Sequence, residues 1–99
     1  MLHIVNKSPF THSALDTCVQ VGQQGGDLLL IEDAVYAAVA GTAVERLVRH
    51  ALQRFRVFAL SPDLEARGVA GQLIEGITLV DYTGFVELVT HNKTCQSWL

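Results

Sequence analysis

"LLLIEDAVYAAVAGT", residues 28–42, sets an apolar run against two carboxylates, Glu32 and Asp33, and follows them with a second apolar run. An unbroken apolar strand is what a parallel sheet covered on both faces produces, and the carboxyl ends of such strands are where open α/β folds place ligands and chemistry. The stretch therefore reads as a buried strand over 27–31 that ends in an acidic pair, with Asp33 as the cap of the following helix. Ala34 to Ala40 are apolar around a whole helix, which one sheet face cannot cover. Val35, Ala38 and Val39 are expected to face the sheet, and Tyr36, Ala37 and Ala40 another subunit.

Outward from this point the chain alternates. Upstream, Leu2 to Val5 reads as a short strand, residues 6–12 as a turn-rich connection, and Leu15, Cys18, Val19 and Gly22 as one face of an amphipathic helix. Downstream, Thr42 and Glu45 form a Thr-x-x-Glu capping box for a helix whose core stripe is Val44, Leu47, Val48, Ala51, Leu52 and Phe55. Arg56 to Leu60 is a third strand. Ser61 and Pro62 start a short helix that Gly68 ends, "ITLVD" is a fourth strand, Asp81 caps a helix with Tyr82, Phe85, Val86 and Val89 inward, and "TCQSWL" is the last strand. This order gives a single-domain α/β fold over 1–99, with a mostly parallel five-stranded sheet, right-handed crossovers and flanking helices.

Composition narrows the function. Of 99 residues, 49% are hydrophobic and 17% charged, enough for one core, and the net charge of −3 gives no electrostatic reason for direct nucleic-acid binding. No apolar run is long enough to cross a bilayer and "MLHIVNKSPF" is no leader, so a cytoplasmic protein away from membranes is expected. Cys18 and Cys95 form no CxxC, and His3, His12, His50 and His91 lack the spacing of common zinc sites, so neither a metal nor a cofactor is expected. No GxGxxG or P-loop follows a strand. A magnesium-dependent phosphoacceptor is also disfavoured, because the acidic pair follows the second strand and not the first.

The connections after the first four strands emerge at one sheet edge and bring Lys7 and Ser8, Glu32 and Asp33, Ser61 and Asp63, and Asp81 towards each other. Helix capping explains Asp33, Ser61 and Asp81. Lys7, Ser8, Asp33 and Asp63 are the expected polar edge, and Glu32 joins Tyr36, Ala37 and Ala40 as partner surface. Cys18 on the apolar stripe reads as a packed thiol, with a sulfur carrier as the alternative.

"MLHIVNKSPF", "LLLIEDAVYAAVAG", "SPDLEARGV", "ITLVDYTGFVEL" and "QSWL" together resemble the TusB/DsrH family over nearly the whole chain. The resemblance implies a DsrE-like, flavodoxin-like fold and an accessory place in a three-protein sulfur relay, with two DsrE-like paralogous subunits, a dimer-of-heterotrimers arrangement and a downstream sulfur carrier protein. Carrier paralogues are similar around their Arg-Gly pair, here Arg67 and Gly68, and have a cysteine at the end of the third strand, where this chain has Leu60 and Ser61. A serine hydroxyl cannot replace a thiolate that must attack and then hold a persulfide. First-helix cysteines like Cys18 occur among DsrH-type members, which inclines the reading to sulfur oxidation. Thiolation of the tRNA wobble uridine is the alternative, and Cys18 as a direct carrier is the alternative of a different class.

Overall fold

The computed structural model describes residues 1–98; the last residue of the "TCQSWL" stretch, Leu99, lies outside the described residues. Five strands, β1 (Leu2–Val5), β2 (Asp27–Leu30), β3 (Arg56–Leu60), β4 (Thr78–Val80) and β5 (Cys95–Trp98), form one sheet in the order β4-β3-β2-β1-β5. Every neighbouring pair is parallel. Between them lie α1 (Ala14–Val21), a 3-10 segment (Glu32–Ala38), α2 (Glu45–Arg54), α3 (Ser61–Ala66) and α4 (Tyr82–His91).

Strand order dictates which face each helix covers. The steps from β1 to β4 all move one way across the sheet, so right-handed crossovers put their helices on one face; the return from β4 to β5 puts α4 on the other. The register agrees. His3, Leu28 and Val57 form one row and Val5, Leu30 and Ala59 the next row of the same face, and these side chains pack with Leu15, Cys18 and Val19 of α1, Val48 and Ala51 of α2, and Leu64 of α3. Each fully buried Leu or Val contributes roughly 1.5–3 kcal/mol relative to exposure. Asp27, Arg56, Phe58 and Val80 point to the opposite face, where α4 lies. All of β2 is buried, as the central strand of a sheet covered on both sides requires.

Three helix starts differ from the sequence reading. Ile31, not Asp33, is the residue before the 3-10 segment, and its own side chain makes no cap bond. The Thr42–Glu45 capping box does not form: α2 begins at Glu45 itself, whose Oε1 accepts from Gly41 N–H at 2.6 Å and Oε2 from Arg49 at 2.8 Å, while Thr42 Oγ1 accepts from Val44 N–H at 3.4 Å. Leu60 precedes α3, so Ser61 is its first helical residue and caps nothing. Asp81 does cap α4, accepting from Gly84 N–H at 2.8 Å. Gly68, with φ +68°, closes α3 through Gly68 N–H to Glu65 C=O and Val69 N–H to Leu64 C=O, a left-handed ending that glycine adopts without steric cost.

Two burial expectations are overturned. Ala37 is 0% exposed within the single chain, as are Ala34, Val35 and Ala38, so Ala37 does not face another subunit. The second layer over "AVYAAVAG" comes from the chain's own α2 and α3, which pack against the 3-10 segment, and from residues 72–74, where Ala40 N–H donates to Gln72 C=O and Ile74 N–H to Ala38 C=O. In α4, Tyr82 and Val86 are 62% and 63% exposed and Val89 41%; Gly84, Phe85 and Leu88 are the half-buried positions. One ten-residue helix on a five-stranded face has no second layer outside it, so its far side stays uncovered.

Candidate functional site

The carboxyl edge of the sheet gathers the polar residues that follow β1, β2 and β3. Asp63, in the first turn of α3, reaches across to β2: its Oδ2 accepts from Glu32 N–H at 2.6 Å. Asp33 is held by Arg67, whose Nε and Nη2 both lie 3.0 Å from Oδ1, while Arg67 Nη1 donates to the Asp63 carbonyl at 3.2 Å. Arg67 thereby ties the end of α3 to the start of the 3-10 segment. Glu32 sits between them in a left-handed backbone, φ 50°, with its side chain exposed. Asp33 and Asp63 are thus committed to holding two loops together, and Glu32 is left facing outward.

The other half of the expected edge is built differently. Ser8 Oγ accepts from Phe10 N–H at 3.2 Å and its carbonyl accepts from His12 N–H, so Ser8 shapes the loop before α1. Lys7 is half-buried beside it, and among the described residues no ion pair joins Lys7 to the acidic group. Asn6 Oδ1 is buried without a hydrogen-bond partner. Tyr36 and Ala40 are half-buried; of the expected partner surface they and Glu32 remain available, and Ala37 does not.

Neither thiol reaches this edge. Cys18 is 0% exposed on the buried stripe of α1, and burial pushes its pKa up to about 12, with Arg54 pulling weakly the other way. A thiol so shifted is almost wholly protonated near neutrality and is a poor nucleophile. Cys95 is exposed but is the first residue of β5, in register with Leu2, at the amino edge of the sheet. At the carboxyl end of β3 stand Leu60 and Ser61. Among the described residues, no thiol stands at this edge.

Three features escaped the sequence reading. Arg67 appeared only within a resemblance, because its partner Asp33 lies 34 positions away and was assigned to a cap. Asp27 is buried at 1%, bound by Arg56 Nε at 2.6 Å and Asn92 Nδ2 at 3.0 Å, beneath a groove of about 230 Å³ between α4 and the sheet. That pair was legible in principle, since Asp27 and Arg56 each open a strand of adjacent parallel neighbours and so share one row. His3, buried at 1%, accepts from the Trp98 indole N–H at 3.1 Å through Nδ1.

Comparison with known proteins places this architecture. A family model described as "DsrH like protein" matches residues 7–95. Proteins named TusB from Enterobacter sp. (strain 638) and Escherichia coli (strain K12) are 38% and 37% identical over 98 residues, covering 99% of this chain and 100% of each relative. Among solved structures, the ychN protein from E. coli superposes with a TM-score of 0.76 at 18% identity, covering 97% of both chains. A protein of unknown function from Methanobacterium thermoautotrophicum does so with a TM-score of 0.74 at 18% identity, covering 97% of this chain and 95% of that one. At such identities the two structures speak for the fold alone, whereas the family match runs through the acidic strand end, α3 and α4. The chain belongs to the DsrH-like family, whose full-length relatives include the TusB proteins.

Proposed function

We propose that this protein is the accessory, non-carrier subunit of a sulfur-relay complex, holding DsrE-like paralogous chains in an arrangement that lets one of them load a persulfide and pass it to a downstream carrier. The observation that carries this reading is the position of the thiols. The carboxyl edge has Leu60 and Ser61 where carrier paralogues have their cysteine, Cys18 is sealed in the core, and Cys95 lies at the opposite edge. A subunit built this way contributes surface, and two surfaces suit that work. One is the outward side of α4, with Tyr82, Val86 and Val89; the other is the half-exposed Tyr36 and Ala40 beside Glu32. Exposed aromatic and aliphatic side chains grouped on one helix are typical interface anchors.

Full-length similarity to proteins named TusB supports service in thiolation of the tRNA wobble uridine. The inclination to sulfur oxidation rested on Cys18, and a buried, protonated thiol gives it no support. Expression of this chain in an E. coli strain lacking its own TusB tests the assignment: 2-thiouridine in tRNA should return towards the wild-type level. A chain that is made and folded, yet binds neither relay partner and restores no thiouridine, would contradict it.

A further inference from the structure

Trp98 is the one residue of β5 packed against the core; Cys95, Gln96 and Ser97 are exposed, and β5 is an edge strand whose ladder runs to β1 alone. What holds the indole is His3, on the adjacent strand. Its ring lies edge-on to Phe55 at 5.2 Å between centroids and tilted to Trp98 at 6.0 Å, and its Nδ1 accepts the indole N–H at 3.1 Å. A tryptophan N–H only donates, so this bond exists only while Nδ1 carries no proton. His3 is therefore the neutral Nε2–H tautomer, whose buried Nε2 makes no hydrogen bond of standard geometry although the Gln23 carbonyl lies near the ring.

We propose that His3 and Trp98 form a proton-operated latch, in which a proton taken from solvent by Nδ1 of His3 expels the Trp98 indole and frees β5 from the edge of the sheet. Two N–H groups would then face each other at a buried site, one of them on a cation, which costs more than leaving a single polar group unpaired. The charged surroundings oppose the cation as well. Among the described residues, the charged groups on this side are the Met1 α-amino group and the Arg54 guanidinium, which is tied to the Gly22 carbonyl beside the ring; both are positive. The other groups packed around the imidazole are neutral: Phe55, Gly22 and the protonated thiol of Cys18 on the same core face. Asp27, one register position away, projects from the opposite face of the sheet.

Burial, foremost, and the nearby amino group hold the His3 pKa below the ordinary value of 6.5, with the Gln23 carbonyl working the other way. The sign follows. Stability from the closed latch is fully present above pH 6.5, and is lost as the pH falls below it towards the depressed folded-state pKa.

Trp98 is the only tryptophan, so its fluorescence reads the latch directly. The full chain titrated from about pH 7.5 to about pH 5, across the histidine range, should show Trp98 emission moving to the red with a midpoint below 6.5, while far-UV circular dichroism keeps the helices. His3→Asn, which keeps an acceptor near the Nδ1 position and does not titrate in this range, should abolish the shift. The same shift in His3→Asn, or loss of helical signal with the same midpoint in the wild type, would overturn the latch. Should His3→Asn fail to fold, wild-type NMR serves: the Trp98 indole proton and the His3 ring must titrate with one midpoint, and separate midpoints would refute the coupling.

Discussion

Glu32 leaves β2 with a left-handed φ of 50°, held there by the hydrogen bond from its own N–H to Asp63. A side chain in that conformation costs about 1–2 kcal/mol, and glycine adds about 0.5–1 kcal/mol of chain entropy, so Glu32→Gly should raise stability by up to about 1 kcal/mol. A denaturant midpoint that falls instead would show that the Glu32 side chain holds the turn. Asp63, not Asp33, supplies a carboxylate to an N–H at the start of the 3-10 segment, and Asp63→Ala should cost on the order of 1 kcal/mol. Asp33→Ala removes a largely exposed ion pair, and should cost well under about 1 kcal/mol and less in high salt. Calorimetry of both variants checks the order. The residue-level error has a physical source: a carboxylate inside the segment and one reaching its start from α3 can each satisfy N–H groups there, and only the fold shows which is near. For the thiols, alkylation near pH 7.5 followed by mass spectrometry should label Cys95 and spare Cys18 in the native chain, with both labelled after unfolding.

At the scale of elements, the strands and the order in which they alternate with helices were legible because apolar runs and capping residues are local signals. Second-layer coverage was not. The apolar "AVYAAVAG" reads in sequence as needing a partner, yet α2, α3 and residues 72–74 of the same chain cover it, through contacts that periodicity cannot register. Ala37→Arg should therefore abolish folding: a guanidinium placed at a fully buried site costs several kcal/mol, a large share of the 5–15 kcal/mol of a small domain. Circular dichroism of the purified variant decides this, and a native spectrum would mean that the site opens to solvent. The start of α2 carries its own pH dependence. The Gly41 N–H first, then Arg49, hold the Glu45 pKa below 4.5, so this contribution is present above 4.5 and is lost as the pH falls through the depressed value. Glu45→Gln should flatten that part of the stability profile. In α4 periodicity alone points Tyr82, Phe85, Val86 and Val89 inward; with no further layer outside, all but Phe85 are exposed.

At the scale of the whole molecule, the chain is a sheet well covered on one face and covered on the other by a single helix, with its polar edge braced by Asp33, Asp63 and Arg67 and with no thiol there. Val86→Arg should leave folding unchanged within about 0.5 kcal/mol, because the site is exposed, while weakening co-purification with DsrE-like partner subunits at least tenfold. Undiminished assembly would move the contact to Tyr36, Ala40 and Glu32. The family and the fold were visible in the sequence, because the motifs span nearly its whole length; the available surface was not, since exposure depends on what the rest of the chain covers. The central claim is that this subunit carries no sulfur itself. A complex reconstituted with Cys18→Ala, Cys95→Ser and wild-type partners should load sulfur and pass it to the downstream carrier at the wild-type rate; loss of transfer in the intact complex, or a persulfide on Cys18 or Cys95 of the wild-type chain that moves onward, would contradict it.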